Sequence, residues 1–214
     1  MSKVWFCSDT HLGHINILKY ESIRRKSVWE AYYKNRMTYE YFEKMLFNYF
    51  ETNNQSALRF IINQHDELII KNWNARVSKD DLVWFLGDFC MGSRDAVIEY
   101  KSRLNGNIRM IKGNHDNYHD AAYLTAGFKS VYNHPVVLKS KFILSHAPID
   151  LIARKRGKSD FINIFGHVHS SKKYRNITKK YTCVCIERNS LLPIQLEAFD
   201  NYKEPEFTEY TTKS

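Results

Sequence analysis

The sequence predicts a mixed α/β (α+β) fold in which short buried strands are separated by amphipathic helices. Five short apolar runs have the length of buried strands, and each ends in a cluster of polar residues. Between the runs, apolar residues recur at helical spacing. An aromatic-rich segment near residues 20–60 contains no Gly and no Pro, which predicts a helical insertion after the first strand.

The predicted strands are Val4–Cys7, Leu82–Leu86, Ile108–Ile111, Phe142–Leu144 and Phe161–Phe165. Each is followed by small or turn-forming residues together with Asp, Asn or His. In layered α/β folds, binding sites gather at the carboxyl ends of the strands. We therefore expect these polar clusters to lie close together in the folded protein.

Three helices are predicted between the strands: Ala57–Val77, Arg94–Leu104 and Tyr118–Ala126. Ser93 stands where an N-cap of the second helix is expected, and Gly127 is a typical terminator of the third.

The segment from Tyr20 to Phe60 is predicted to form one or two amphipathic helices, with Met37–Phe50 the longer. Three interpretations of its aromatic side chains stay open: packing against the core, a lid or specificity wall over the site, and a surface that stacks nucleic-acid bases or contacts another subunit. Residues 1–200 are predicted to form one domain that includes this insertion, and the polar residues 201–214 a loosely held tail.

The chain carries a formal net charge of +9, which favours anionic partners such as nucleotides and nucleic acid. No run reaches the roughly 20 apolar residues of a membrane-spanning helix, and the first residues lack the pattern of a signal peptide. We therefore expect a cytoplasmic protein without a membrane partner. The four cysteines form no CxxC pair and are expected to be reduced and packed as small hydrophobic residues.

Seven side chains in the polar clusters are of types that ligate divalent ions: Asp9, His11, Asp88, Asn114, His146, His167 and His169. Carboxylate oxygen and imidazole nitrogen suit ions such as Mn²⁺, Fe²⁺ and Zn²⁺. Asp88 has two oxygens and is suited to bridging two ions, which together can clamp a phosphate. One DxH or HxH pair alone is common without a metal, but their joint placement at five strand ends predicts a metal centre.

These clusters resemble the five ordered motifs of the calcineurin-like metallophosphoesterase superfamily: Ser8-Asp9-Thr10-His11, Gly87-Asp88, Gly113-Asn114-His115-Asp116, Ser145-His146 and Gly166-His167-Val168-His169. The resemblance spans about residues 3–170 and is closest to small bacterial and phage-type members, which carry a similar Asn72-Trp73-Asn74 segment. It implies a four-layer β-sandwich flanked by helices, with a binuclear metal site.

By this resemblance one ion would be held by Asp9, His11, Asp88 and His169, and the other by Asp88, Asn114, His146 and His167. Mn²⁺ is the expected metal, with Fe²⁺, Zn²⁺ or Ni²⁺ as alternatives. The implied reaction is attack of a metal-bridging hydroxide on a phosphate ester, in which Asp88, Asn114 and His115 are catalytic. His115 matches the family's non-ligand histidine beside the leaving group.

Two features depart from the family pattern. The segment of residues 20–60 is longer than small members usually carry, and Asp88 is followed by Phe89-Cys90-Met91 without the further Asp of some branches. The residue that orients His115 is therefore left open between Asp88 and Asp116.

A phosphodiesterase acting on a nucleotide or nucleic-acid-type substrate is the preferred function. The alternatives are a phosphomonoesterase and a catalytically silent metal-binding scaffold. His14 and Asn16 lie just beyond the first motif, where they either approach the site or have a local structural role. Two basic clusters either line the rim of the site or form ordinary solvated loops: Arg154, Lys155, Arg156 and Lys158, and Lys172, Lys173 and Arg175.

Overall fold

Two four-stranded sheets form the centre of the computed structural model, which describes residues 2–149, 161–171 and 180–197. The first sheet contains β1 (Val4–Cys7), β2 (Leu82–Phe85), β3 (Asn107–Ile111) and β4 (Ser130–Tyr132), in that order and all parallel. The second contains β5 (Val136–Leu138), β6 (Phe142–Ser145), β7 (Ile162–Phe165) and β8 (Tyr181–Cys183). Its strands are parallel except for β5, which pairs antiparallel with β6.

Side-chain alternation along the first sheet divides the apolar core into two layers. In β1, Val4 and Phe6 pack with Leu144 and Ile164 of the second sheet. Trp5 and Cys7 point the other way and join the layer beneath the helices. Because both faces of β1 are covered, the strand is apolar along its whole length, as expected for a parallel strand.

The helices of the described chain are α1 (Ile17–Tyr20), α2 (Ser22–Tyr32), α3 (Tyr39–Glu51), α4 (Gln55–Asn74), α5 (Arg94–Ser102) and α6 (Asp120–Thr125), with a short 3₁₀ helix at Ile186–Asn189. The predicted cap of α5 is present, since Ser93 Oγ accepts from the backbone N–H of Ala96 at 3.3 Å. Asn54 Oδ1 caps α4 in the same way, so this helix begins at Gln55 rather than at Ala57.

The insertion folds as helices α2 and α3 and the start of α4, which pack together with the short preceding helix α1. Their buried side chains form a separate apolar cluster that includes Leu18, Val28, Phe42 and Leu46. The predicted helix of Met37–Phe50 is observed as Tyr39–Glu51, begun by Thr38, whose side chain accepts from Tyr41 N–H. Of the three interpretations, these contacts favour packing for most of the aromatic residues.

The predicted α/β sandwich with flanking helices and a helical insertion is confirmed by this architecture. All five predicted strands are present, while β4, β5 and β8 are additional. No helix in the described parts of the chain has the length and apolar character needed to cross a membrane. Cys7, Cys90 and Cys185 are buried and unbridged, and Cys183 is half-buried. Residues 201–214, the predicted tail, lie outside the described residues.

Candidate metal centre

The loops that follow β1, β2 and β7 place ligand-type residues in an unusual backbone conformation. Asp9, His11, Asp88, His167 and His169 have φ values of 59°, 47°, 58°, 69° and 47°. Residues other than Gly seldom adopt this left-handed backbone conformation, and such outliers concentrate at functional sites. The loops after β1 and β2 brace each other through hydrogen bonds from Asp9 N to Gly87 O at 2.8 Å and from His11 N to Asp88 O at 3.1 Å.

Glycines next to the ligand-type residues allow the loops to approach closely. A Cβ atom on Gly113 would lie 2.2 Å from Asp88 Oδ1 and 2.8 Å from His146 Cε1. A Cβ atom on Gly166 would lie 2.5 Å from Asp9 Oδ2. These separations are far inside van der Waals contact, so both positions require glycine for the loops to meet as they do.

Asp9, His11 and His169 form the first of two clusters whose candidate ligand atoms lie within 4.8 Å of one another. His169 Nε2 is 3.8 Å from Asp9 Oδ1. The other oxygen of Asp9 accepts from the backbone N–H of His167 at 2.9 Å, which fixes the carboxylate. We name this group the Asp9 cluster.

Asp88, His146 and His167 form the second group, here named the Asp88 cluster. His146 Nδ1 donates to Leu86 O at 2.8 Å, which directs Nε2 toward the cluster. That Nε2 atom is 3.0 Å from Asn114 Oδ1 and 3.1 Å from His167 Nδ1. Asn114 therefore adds a fourth oxygen or nitrogen donor to the group.

Asp88 also faces the Asp9 cluster. Its Oδ2 atom is 3.5 Å from His11 Nε2 and 3.4 Å from His146 Nε2. Its Oδ1 atom accepts from the backbone N–H of His115 at 2.9 Å. One oxygen thus faces both clusters while the other anchors the loop after β3.

Burial divides the centre into a floor and a rim. Asp9, His11, Asp88 and His146 are buried, and His169 is partly so. The rim consists of the exposed side chains Asn114, His115 and His167. A ligand would therefore reach the floor from the side where His115 stands.

Burial and neighbouring charges shift the ionisation of the floor. Burial, reinforced by the positive charge of Arg24, lowers the pKa of His11 to about 2, so this imidazole is neutral and able to ligate. Burial acts to raise the pKa of Asp88, but the hydrogen bond and charge of His146 outweigh it and hold that pKa at about 2. Burial acts to lower the pKa of His146, but the hydrogen bond to Asp88 and the charge of Asp9 raise it to about 9.

Asp116 supports the backbone of the Asp88 cluster. Its carboxylate accepts from the N–H groups of Asp88, Phe89 and Gly113 at 2.6, 3.1 and 2.8 Å. Of the two candidates for orienting His115, Asp88 contacts the backbone N–H of that residue. The Asp116 carboxylate is instead bonded to the backbone N–H groups of Asp88, Phe89 and Gly113.

His14 does approach the centre. Its Nδ1 atom is 3.3 Å from His11 Nδ1, and its ring centroid is 6.2 Å from that of His115. Asn16 is exposed and lines a separate cavity of about 480 Å³ between α1, α3 and the start of α4. The two basic clusters of residues 154–158 and 172–175 lie outside the described residues.

Three buried residues beside the centre could not be picked out from the sequence: Arg24 and Glu187, which contact it, and His65, which contacts Arg24. Glu187 Oε1 accepts from His169 Nδ1 at 2.8 Å and from Arg24 Nε at 2.7 Å. Arg24 and His65 lie on helices whose charged residues resemble ordinary surface charges, and Glu187 follows the last strand without a motif. No pattern in the sequence distinguishes them.

The donor set fits divalent metal ions. Asp9 Oδ1 and His11 Nε2 are buried and have no hydrogen-bond partner among the described residues. Buried polar atoms are normally paired, so orphaned ligand atoms at the centre of two His and carboxylate clusters suit bound cations. Asp9, His11 and His169 could hold one ion, and Asp88, Asn114, His146 and His167 another.

Comparison with known proteins points to one family. The sequence pattern of the family described as calcineurin-like phosphoesterase matches residues 2–200. The gene 66 protein of Mycobacterium phage L5 is 28% identical over 141 residues, which cover 63% of this chain and 51% of that protein. An uncharacterized protein of Methanocaldococcus jannaschii is 30% identical over 120 residues, which cover 55% of this chain and 49% of that protein.

The chain thus spans about half the length of the curated relatives it matches. Among solved structures, a protein of unknown function from Aquifex aeolicus aligns with a TM-score of 0.57 at 21% identity. The alignment covers 94% of this chain and 98% of that one. This likeness supports the shared fold.

Proposed function

Because the chain belongs to the calcineurin-like phosphoesterase family, we propose that it is a binuclear metal-dependent phosphodiesterase acting on a nucleotide or nucleic-acid-type substrate. The observation that carries this proposal is the position of Asp88 Oδ2, within 3.5 Å of donor atoms in both clusters. A carboxylate oxygen so placed is suited to join two cations.

We assign the Asp9 cluster with Asp88 to one ion, and the Asp88 cluster with Asn114 to the other. Mn²⁺ is the proposed metal, because imidazole and carboxylate donors accept it readily, with Fe²⁺, Zn²⁺ and Ni²⁺ as alternatives. When bound, such ions supply an activated water at neutral pH and positive charge opposite the phosphate oxygens.

His115 is the proposed general acid. It stands on the exposed rim, its backbone is held by Asp88 Oδ1, and its ring centroid is 5.3 Å from that of His11. From this position it can give a proton to the leaving oxygen as the ester bond breaks. The Asn114 side chain beside it can hold a phosphate oxygen through its amide.

The charge of the chain supports a nucleotide-type substrate, since a net charge of +9 attracts polyanions.

Turnover of two simple substrates with added Mn²⁺ tests the proposal. Hydrolysis of bis-p-nitrophenyl phosphate faster than p-nitrophenyl phosphate is expected of a phosphodiesterase. The reverse order would instead indicate the phosphomonoesterase. A third outcome is a protein that binds metal but hydrolyses neither substrate, nor any of a panel of nucleotides and short nucleic acids. That result would indicate the catalytically silent scaffold and would refute the proposed enzymatic activity.

A further inference from the structure

A buried arginine connects the insertion to the metal centre. Arg24 lies on α2, has no exposed surface, and bonds through its guanidinium to Asp9, Thr10 and Glu187, outside the insertion. Nη1 donates to Thr10 O at 2.8 Å, and Nη2 donates to Asp9 O. The carbonyls of the loop that carries two ligand-type side chains are therefore held by a residue of the insertion.

Glu187 completes a closed set of contacts around the Asp9 cluster. Its Oε1 atom receives Arg24 Nε and Nη2 at 2.7 and 2.5 Å, together with His169 Nδ1 at 2.8 Å. These contacts link His169 to Glu187, Glu187 to Arg24, and Arg24 to the Asp9 backbone. The first and last residues of this series both belong to the Asp9 cluster. Glu187 is placed there because the chain after β8 returns alongside β1, with Ser8 bridged to Cys185.

The chemistry of this arrangement is that of a support for metal ligands. A carboxylate that accepts from Nδ1 of a histidine fixes the ring and leaves Nε2 free to ligate. The guanidinium neutralises that carboxylate, which would otherwise be an unpaired charge in the interior. It also steadies Asp9, whose left-handed backbone, with φ 59°, needs external support.

A second set of contacts extends the support through α4. His65 Nε2 is 3.0 Å from Arg24 Nη1, and its Nδ1 atom is 2.8 Å from Asp66 Oδ1. Asp66 Oδ2 accepts from the backbone N–H of Gly13 at 2.9 Å. The loop after β1 is thereby fastened at Asp9 and Thr10 by Arg24, and again at Gly13 by Asp66.

The Asp88 cluster has its own, separate support. Its backbone is held by Asp116, and His146 is oriented by Leu86 O. Neither contact involves the insertion.

We propose that Arg24 and Glu187 form a clamp that positions the Asp9 cluster for its ion, so that the insertion is an integral part of half of the metal centre. The proposal rests on the binuclear function proposed above. It makes Arg24 and Glu187 positioning residues, and it predicts that their loss affects the two ions unequally.

Mn²⁺ binding to the full-length protein tests the clamp. Calorimetric titration and electron paramagnetic resonance would be compared for wild type, Glu187→Gln and Arg24→Met. Glu187→Gln preserves the size of the side chain and an oxygen for His169. Arg25→Met is the matched control, because Arg25 is also buried on α2 but its guanidinium contacts Glu43 and Leu18 O, neither of which belongs to either cluster. His11→Ala and His167→Ala identify which binding step belongs to which cluster.

Both clamp variants are expected to weaken one Mn²⁺ binding step by about 10–100-fold and to leave the other unchanged. The weakened step should be the one that His11→Ala removes, and the coupled two-ion resonance signal should be replaced by a single-ion signal at limiting metal. Arg25→Met should bind both ions as wild type does, even if its unfolding temperature falls.

The clamp would be overturned by a folded Glu187→Gln protein in which both Mn²⁺ binding steps are unchanged or both are weakened alike. It would also be overturned if the weakened step were the one that His167→Ala removes. Circular dichroism reports folding, and loss of fold in both clamp variants would assign the pair to stability alone. Failure of the proposed function is distinct, because it would appear in wild type as fewer than two bound ions or as no turnover.

Discussion

Five ligand-type residues have left-handed backbone, a conformation that the rest of the fold must stabilise. Each such conformation costs roughly 1–2 kcal/mol for a side chain other than Gly. It persists only where the surroundings enforce it, and here the paired loops after β1 and β2 do so through the amides of Asp9 and His11. The cost of shaping these loops is therefore offset by contacts within the protein itself.

Replacement of His115 by Ala should lower turnover of bis-p-nitrophenyl phosphate by about 10²–10⁴-fold, the usual contribution of a general acid. Metal content should stay at the wild-type value, because His115 is not among the proposed ligands. Steady-state kinetics and elemental analysis of the purified protein measure the two quantities.

His119→Ala is the control for this change, since His119 is also exposed but precedes α6 outside the two clusters. It should leave turnover unchanged. Loss of metal from His115→Ala would mean that His115 is a ligand and that its assignment as the acid is wrong.

Replacement of Gly113 by Ala should abolish binding of at least one ion, because the new methyl group would lie 2.2 Å from Asp88 Oδ1. Gly127→Ala separates this clash from a general effect of losing glycine. Gly127 has φ +99°, and a methyl group added there would meet no atom within 4 Å, so this change should cost about 1–2 kcal/mol of stability without loss of metal. Mn²⁺ titration and urea unfolding of both variants distinguish these outcomes, and equal metal binding by Gly113→Ala and wild type would contradict the prediction.

At the scale of residues, the sequence identifies side chains whose chemistry is distinctive and whose position follows a strand. All seven ligand-type residues belong to this group, and the structure brings them together. Arg24 and Glu187 do not, because they meet across 163 positions of the chain. Only the tertiary packing of the insertion reveals that this arginine is buried.

At the scale of elements, strands that are apolar on both faces are predictable and short strands at half-buried positions are not. β1 and β2 are continuous apolar runs because helices cover one face and the second sheet covers the other. β4 and β8 have three residues each, all partly exposed, and present neither a run nor an alternation. Their strand conformation comes from pairing with β3 and β7.

Asp81 joins the start of β1 to the turn before β2, and this gives the fold a specific acid sensitivity. Its carboxylate accepts from Lys3 N at 2.8 Å, Trp5 Nε1 at 2.9 Å and Ser78 N at 2.9 Å. Burial acts to raise its pKa, but the N–H groups of Lys3 and Ser78 and the indole of Trp5 outweigh it and lower the pKa.

Because the pKa is lower in the folded than in the unfolded protein, Asp81 stabilises the fold above about pH 3.9, the unfolded value. This contribution is lost as the pH falls through the folded-state pKa. Asp81→Asn should therefore reduce the free energy of unfolding by about 1.5–3 kcal/mol near pH 7, with a smaller deficit in strong acid. Urea unfolding with chelator present, at several pH values, measures this. Asp80→Asn is the control, because Asp80 is the exposed neighbour of Asp81. A loss of unfolding free energy in Asp81→Asn that does not depend on pH would contradict the prediction.

For the whole molecule, bound metal should be a major source of stability. An ion present at 100 times its Kd adds about 2.7 kcal/mol to the free energy of unfolding, which corresponds to roughly 5–11 °C in Tm for a chain of this size. Differential scanning calorimetry with Mn²⁺ and then with excess chelator measures the shift. Asp88→Asn should lose most of it, because Asp88 faces both clusters. A Tm insensitive to Mn²⁺ in wild type would argue against a metal centre at these residues.

Each cluster draws donors from both sheets, since Asp9, His11, Asp88 and Asn114 follow strands of the first sheet while His146, His167 and His169 follow strands of the second. During synthesis on the ribosome, part of each ligand set is therefore present long before the rest has been made. Metal binding is therefore expected only after β7 has been synthesised and has paired with β6. The bound ions would then link the two sheets.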